Sequence, residues 1–219
     1  ACAGTDTTTA SGISTCLQCQ AQGGVGTLDA LVNAGMVDPG ADKVLAKCQE
    51  TISKEIVGKN VVSQLKEYGK AAANVIKGKA QSRDLDAKAA SKIAKANSKT
   101  SDKIAKMCGG PDKVFGGLVE DENGDSVPND FLPSEIGIIS TICPAFVTNE
   151  GQECAAPITS LEDAVDCYLC LNSFGAGCGG ALGSPYAGQA PENCVSTIPA
   201  APCSDSGYTL TVQKQSDAP

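Results

Sequence analysis

Two cysteine pairs, Cys16-Leu17-Gln18-Cys19 and Cys167-Tyr168-Leu169-Cys170, have the spacing of greatest chemical range in this chain. Such a pair serves as a redox dithiol, as half of a zinc site, or as two half-cystines of separate bridges. Redox catalysis wants the first thiol at a helix N-terminus, where the dipole lowers its pKa. Cys167 falls about two turns inside its expected helix, so that support is missing. Residues 16, 19, 167 and 170 have acceptable local spacing for a four-cysteine zinc site. Two cysteines at i and i+3 share a helix face, so the favoured expectation is structural: each staples a different neighbouring segment.

The other candidates carry less. Asp121-Glu122-Asn123-Gly124-Asp125 is an acidic turn whose Asn-Gly favours a tight hairpin bend. Asp121, Asn123 and Asp125 alternate as in an EF-hand loop, but the sixth position is Ser126 rather than Gly and the twelfth is Leu132 rather than Glu. A loose calcium site from these three and Asp130 is the chemical alternative to a solvated turn. The chain has no His, which removes the commonest general base, the Ser/His and Cys/His nucleophile pairs and every His-dependent metal site. It also lacks a Gly-x-Ser-x-Gly elbow. No catalytic residue and no cofactor is expected.

The elements that must position these residues begin with one long helical hairpin. Asp38-Pro39 reads as a helix start, an N-cap acceptor followed by proline at the first helical position. Apolar residues recur at Val44, Leu45, Cys48, Ile52, Ile56, Val61, Val62, Leu65, Tyr68, Ala72, Val75 and Ile76 with three-and-four spacing. Gly58 and Gly69 weaken that helix and are candidate bend points, and Gly78 is a natural C-cap. A second helix is expected from about Ser82 to Met107, with Leu85, Ala89, Ile93, Ala96, Ile104 and Met107 inward, ended by Gly109-Gly110-Pro111. With the turn near residue 80, the two arms to Cys48 and Cys108 are roughly 48 and 42 Å long, so both thiols reach the open end. A Cys48–Cys108 disulfide is predicted there, worth roughly 3–4 kcal/mol through its loop of about 60 residues.

Elsewhere Thr7-Thr8-Thr9 favours an extended arm, and Thr27 caps an expected short helix from Leu28 to Ala34. Ile136 to Cys143 is β-rich and reads as a buried strand. Ser160-Leu161-Glu162-Asp163 resembles a capping box and opens a helix to about Ser173. Tyr208, Leu210 and Val212 alternate with polar residues in a terminal strand. The expected fold is mainly α with small β elements. It divides into an N-terminal arm and short helix (1–37), the helical hairpin (38–108) and a Cys-rich loop and helix region with its C-terminal strand (109–219).

Twelve cysteines, Cys2, Cys16, Cys19, Cys48, Cys108, Cys143, Cys154, Cys167, Cys170, Cys178, Cys194 and Cys203, point to an oxidising compartment and a disulfide framework. The chain starts at Ala1, as a processed mature chain would, and Cys2 is not in the first position that lipid modification uses. Twelve cysteines allow roughly ten thousand pairings. Residues 1–108 hold five of them and 109–219 hold seven, so complete internal pairing requires at least one bridge between the halves. No apolar run approaches the ~18 residues of a membrane span. There is no Asn-x-Ser/Thr sequon; Thr5–Thr9 and residues 196–206 are candidates for O-linked sugar.

Charge is segregated. Residues 38–108 hold 15 basic and 8 acidic side chains, net +7, and the remainder holds 2 and 17, net −15. Lys88, Lys92, Lys95, Lys99, Lys103 and Lys106 form a stripe. The two parts could face each other within one subunit or simply be solvated, meet head to tail between subunits, or bind a polyanion. Nucleic acid is not an expected partner, because no aromatic residues interleave with the lysines and the chain is acidic.

Cys48-Gln49-x-x-Ile52-x-Lys54, Ile104-Ala105-Lys106-Met107-Cys108-Gly109-Gly110, Leu132-Pro133-Ser134-Glu135-Ile136-Gly137 and Ile158-x-x-Leu161-x-Asp163-x-Val165-x-Cys167-x-x-Cys170 together resemble a group of secreted, cysteine-rich bacterial proteins with a Lys/Ala-rich helical hairpin and no assigned activity. The resemblance spans roughly residues 45–180. It implies secretion and a disulfide-stapled helical fold, and it supplies no catalytic residues.

The functional expectation is an extracellular, non-enzymatic structural subunit that assembles with itself into a filament by strand addition and charge complementarity. The alternatives are a secreted monomeric module that binds a ligand or polysaccharide, and a thiol oxidoreductase using the 167/170 pair.

Overall fold

The computed structural model describes residues 37–182 apart from 82, 83, 121, 124, 125, 139 and 149–151. Within them the chain is mainly helical, and its centre is an antiparallel helical hairpin closed at its open end by the Cys48–Cys108 disulfide, whose Cα atoms are 5.1 Å apart. The first arm is α1 (Lys43–Ser53), a π-helical segment (Lys54–Asn60) and α2 (Val61–Ile76), running on with helical backbone at both joins. The return arm is α3 (Ala87–Cys108). Strands β1 (Leu118–Glu120) and β2 (Ser126–Pro128) form an antiparallel ribbon, and α4 (Leu161–Leu182) packs onto the hairpin, chiefly along α2.

The first arm buries every fourth residue: Cys48, Ile52, Ile56, Asn60, Gln64, Tyr68 and Ala72. Four residues of ordinary α-helix turn about 400°, so such a row drifts by about 40° per step and leaves one face within a few steps. The π-helical segment sits in the middle of the row. Its wider turns hold more residues and cancel much of the drift, which keeps the far half of the arm facing α3. Gly58 lies inside that segment, so it marks a change of helix type, while Gly69 lies within α2.

The helix starts correct the sequence reading. The first N-cap is Asp42, whose carboxylate accepts from the Val44 and Leu45 N–H groups at 2.8 and 3.0 Å. Asp38 instead accepts from Gly40 N–H two residues on, a local Asx turn. The return helix starts at Asp86, which accepts from Ala89 N–H at 2.7 Å, four residues after the expected Ser82. At the other end of α2, Gly78 has φ +66°. Its N–H donates to Val75 C=O at 2.9 Å and Lys79 N–H donates to Asn74 C=O at 2.8 Å, the paired bonds of a Schellman stop. Gly109 ends α3 by close approach: a Cβ there would sit 2.6 Å from the carbonyl oxygens of Ala105 and Val114.

Several expected inward positions face outward. Val44, Val62, Leu65, Ile76 and Met107 are exposed: Val44 and Ile76 continue the four-residue row past its buried ends, Val62 and Leu65 lie beside it, and Met107 stands next to the buried Cys108 on the return arm. Ile136–Cys143 is not a strand. Pro133 and Gly137 (φ +91°) hold a tight turn in which Ile138 N–H donates to Pro133 C=O at 2.7 Å, and only an isolated bridge, Ile142 with Pro157, follows. The turn still buries Ile136 and Ile138. The helix expected to Ser173 continues to Leu182. Its start is as read: Asp163 N–H donates to Ser160 Oγ at 3.1 Å while the Asp163 carboxylate accepts from Ser160 N–H at 2.9 Å. The terminal strand at Tyr208, Leu210 and Val212, the Thr-rich arm and the Leu28–Ala34 helix lie outside the described residues.

Candidate functional site

The cysteine pair on α4 is a double staple. Cys167 bonds to Cys143 and Cys170 to Cys154, all four buried. One turn of helix therefore anchors two points of the irregular segment before it. The redox-dithiol and zinc alternatives fail at these positions, since each sulfur is already bonded to a different partner. Cys2, Cys16, Cys19, Cys194 and Cys203 lie outside the described residues, as does the side chain of Cys178. Tyr168, between the two staples, is buried, and that burial pushes its phenol up to about 12.

A layer of amides crosses the middle of the molecule. Asn60 Nδ2 donates to Asn97 Oδ1 at 2.8 Å, and Gln64 Nε2 donates to Asn60 Oδ1 at 2.8 Å and Asn97 Oδ1 at 3.1 Å. From α4, Asn172 Nδ2 donates to Asn60 Oδ1 at 2.9 Å and to the Ile56 carbonyl at 3.1 Å. Asn60, Gln64 and Asn172 are 0–1 % exposed. The π-helical segment positions this layer, since Asn60 is its last residue and Ile56 lies within it. Apolar groups close it off on both sides, with Ile52, Ile56 and Ile104 toward the disulfide and Tyr68, Ile93 and Ala176 toward the turn. Amides neither titrate nor attack at ordinary pH, so this layer fixes register between three helices. Sequence reading missed it; the signal was the four-residue row, which runs through Asn60 and Gln64.

Two ion clamps flank the layer. Glu55 takes Lys59 from its own helix and Lys103 from α3, and Glu67 takes Lys70 and Lys92 in the same way. Burial pushes the Glu55 carboxyl up, but the bonds from Lys103 and Lys59 outweigh it and leave it below the ordinary value. For Glu67 the bond from Lys70 dominates, burial opposes it and Lys92 adds to it, again holding the carboxyl low.

These clamps divide the lysine stripe. Lys92 and Lys103 turn to the seam, while Lys88, Lys95, Lys99 and Lys106 are exposed and make no ion pair among the described residues. All four described ion pairs lie within the hairpin, and none joins it to residues 109–182, which hold 1 basic and 12 acidic side chains, net −11. The reading in which the two parts neutralise each other inside one subunit gains no contact here. On α4, Glu162 and Asp166 are exposed. The surrounding protein, and then the Asp163 charge, push the Asp166 carboxyl up.

At the calcium candidate, Asp121 and Asp125 lie outside the described residues, and Asn123 is engaged within the protein. Asp130 Oδ2 accepts from Gly116 N–H at 2.8 Å. Among the described residues no group of three or more Asp, Glu, Cys or His is gathered around a common point. The ribbon forms where the acidic turn was expected to bend the chain, with residues 121–125 as its connection. Asn129 N–H donates to Gly117 C=O at 3.1 Å, which puts that pair and Val119–Val127 on the bonded rungs. The Leu118 and Glu120 backbone groups therefore face the outer edge of β1, with no backbone partner among the described residues. On β2 the outward positions are Ser126 and Pro128, and Pro128 has no N–H to offer.

Among the described residues no helix is long and apolar enough to cross a membrane. No family model matches the chain, and neither the curated proteins nor the solved structures contain a match.

Proposed function

We propose that this chain is an extracellular, non-enzymatic structural subunit that assembles with copies of itself into a filament. The observation that carries the reading is charge separation left uncancelled: a +7 hairpin, a −11 flank and no described ion pair between them. Opposite charges on one rigid body attract the complementary regions of neighbours, and contact between unlike patches builds open chains when its rotation does not close. The three described disulfides point to an oxidising environment. They also make the subunit stiff without a large aromatic interior. The open edge of β1 supports strand addition, with Tyr208, Leu210 and Val212 as the segment that would supply the strand.

Electron microscopy and light scattering of the oxidised protein test this. Assemblies are expected at low ionic strength and should shorten as salt brings the Debye length below about 10 Å. Monomers at every pH and salt concentration would overturn the reading.

A further inference from the structure

We propose that Lys95 and Lys99 dock against Glu162 and Asp166 of a second copy of this chain, forming the contact by which copies add head to tail. The inference rests on the self-assembly reading and names its surface. Lys88, Lys95, Lys99 and Lys106 fall within about 40° of one another around α3 and span roughly 27 Å along it. They are what remains of the stripe once Glu67 and Glu55 have drawn Lys92 and Lys103 to the seam. Lys95 and Lys99 are one turn apart in the middle of an uninterrupted 22-residue helix.

Of the exposed described carboxylates of the flank, Asp112, Glu120, Glu122 and Glu153 stand on turns, the ribbon and an isolated bridge rather than on a helix. Asp130, Glu135 and Asp163 already accept backbone N–H groups from Gly116, Leu132 and Ser160. Glu162 and Asp166 are exposed, have no cation among the described residues, and stand one turn apart in the first two turns of α4. Each pair places like charges at i and i+4, which is mildly repulsive until an opposite pair of the same spacing faces it. Two helices side by side satisfy both at once. A free polyanion fits less well: it would meet a chain of net charge −8, whereas a second copy offers both signs. The two patches lie on different elements, so a copy that uses one of them keeps the other for a third copy, and the chain grows wherever the same two copies do not close both contacts between themselves.

Charge reversal tests the pairing. K95E/K99E and E162K/D166K, each made in the full oxidised chain, should raise the critical concentration for assembly at least tenfold when examined alone by light scattering. An equimolar mixture should return to within a few-fold of wild type, because each variant's altered patch then meets its complement on the other. Far-UV circular dichroism and intact mass check that both variants keep their helices and disulfides, and rescue on mixing cannot come from a misfolded partner. Variants that assemble like wild type, or a mixture that stays monomeric, would overturn the docking while leaving self-assembly standing. Wild type that assembles only after polyglutamate is added would also overturn it, in favour of a polyanion. Wild type that never assembles would remove both proposals.

Discussion

Between Lys43 and Cys108 the backbone is almost wholly helical and a single disulfide closes the open end. From residue 109 to 160 the described chain has six strand residues and two isolated bridges, and its covalent attachment is two bonds to one turn of α4. The first region pairs its own backbone and needs sulfur only at one place. The second has little ladder of its own, so its position depends on Cys143–Cys167 and Cys154–Cys170. The cystines of one protein thus do two jobs, stiffening a structure that local bonding already forms and holding in place one that local bonding leaves loose.

Removing bridges breaks the comparison most strongly. Replacing Cys143, Cys154, Cys167 and Cys170 by Ser should cost on the order of 5 kcal/mol, since both closed loops are lost. Limited proteolysis should then cut within residues 133–158 while the helical signal of the hairpin persists. C48S/C108S should lower stability by about 4 kcal/mol in urea unfolding, yet leave residues 133–158 protected under native conditions. Equal proteolytic exposure in the two variants would erase the distinction.

A smaller effect tests the joint between the regions. Asn172→Leu removes the donor that α4 extends to Asn60 and Ile56, and should cost about 1–3 kcal/mol. A double-mutant cycle with Asn60→Ala should show coupling, because the two amides share a bond. Purely additive effects would mean that α4 is held by its apolar face alone.

The smallest effect sharpens the hairpin side. The Glu55 and Glu67 carboxyls lie below their ordinary 4.5 when folded. Their clamps therefore stabilise fully above that pH, and the contribution is lost as pH falls through the lowered values. E55Q/E67Q should cost on the order of 1 kcal/mol near neutrality, and its stability should converge on wild type as pH falls below 4.5 through the lowered values. A constant gap across that window would place the effect in packing rather than charge.

The architecture was largely legible, for local reasons. The turn near residue 80, the Schellman glycine and the Ser160 capping box each follow from residues close in sequence, and the Cys48–Cys108 pair follows from measuring two helical arms out from that turn. What escaped depended on long-range geometry. A row of every fourth residue looks like ordinary amphipathic spacing until its drift is counted, and so the π-helical segment and the burial of Asn60 and Gln64 went unread. Ile136–Cys143 has the composition of a strand, but Pro133 and Gly137 impose a turn that burial of Ile136 and Ile138 completes. At the candidate surface the lysine stripe was visible; its division was not, because that depends on which lysines Glu55 and Glu67 can reach.

The bridge at the mouth of the hairpin also sets a route for mechanical load. A pull entering the chain at Val37 and leaving at Gly109 crosses from Cys48 to Cys108 through one covalent link, and residues 49–107 hang beside that path rather than in it. Force along a strand of such subunits would not peel the two arms apart from their base. The seam would feel only thermal agitation for as long as that one sulfur link holds.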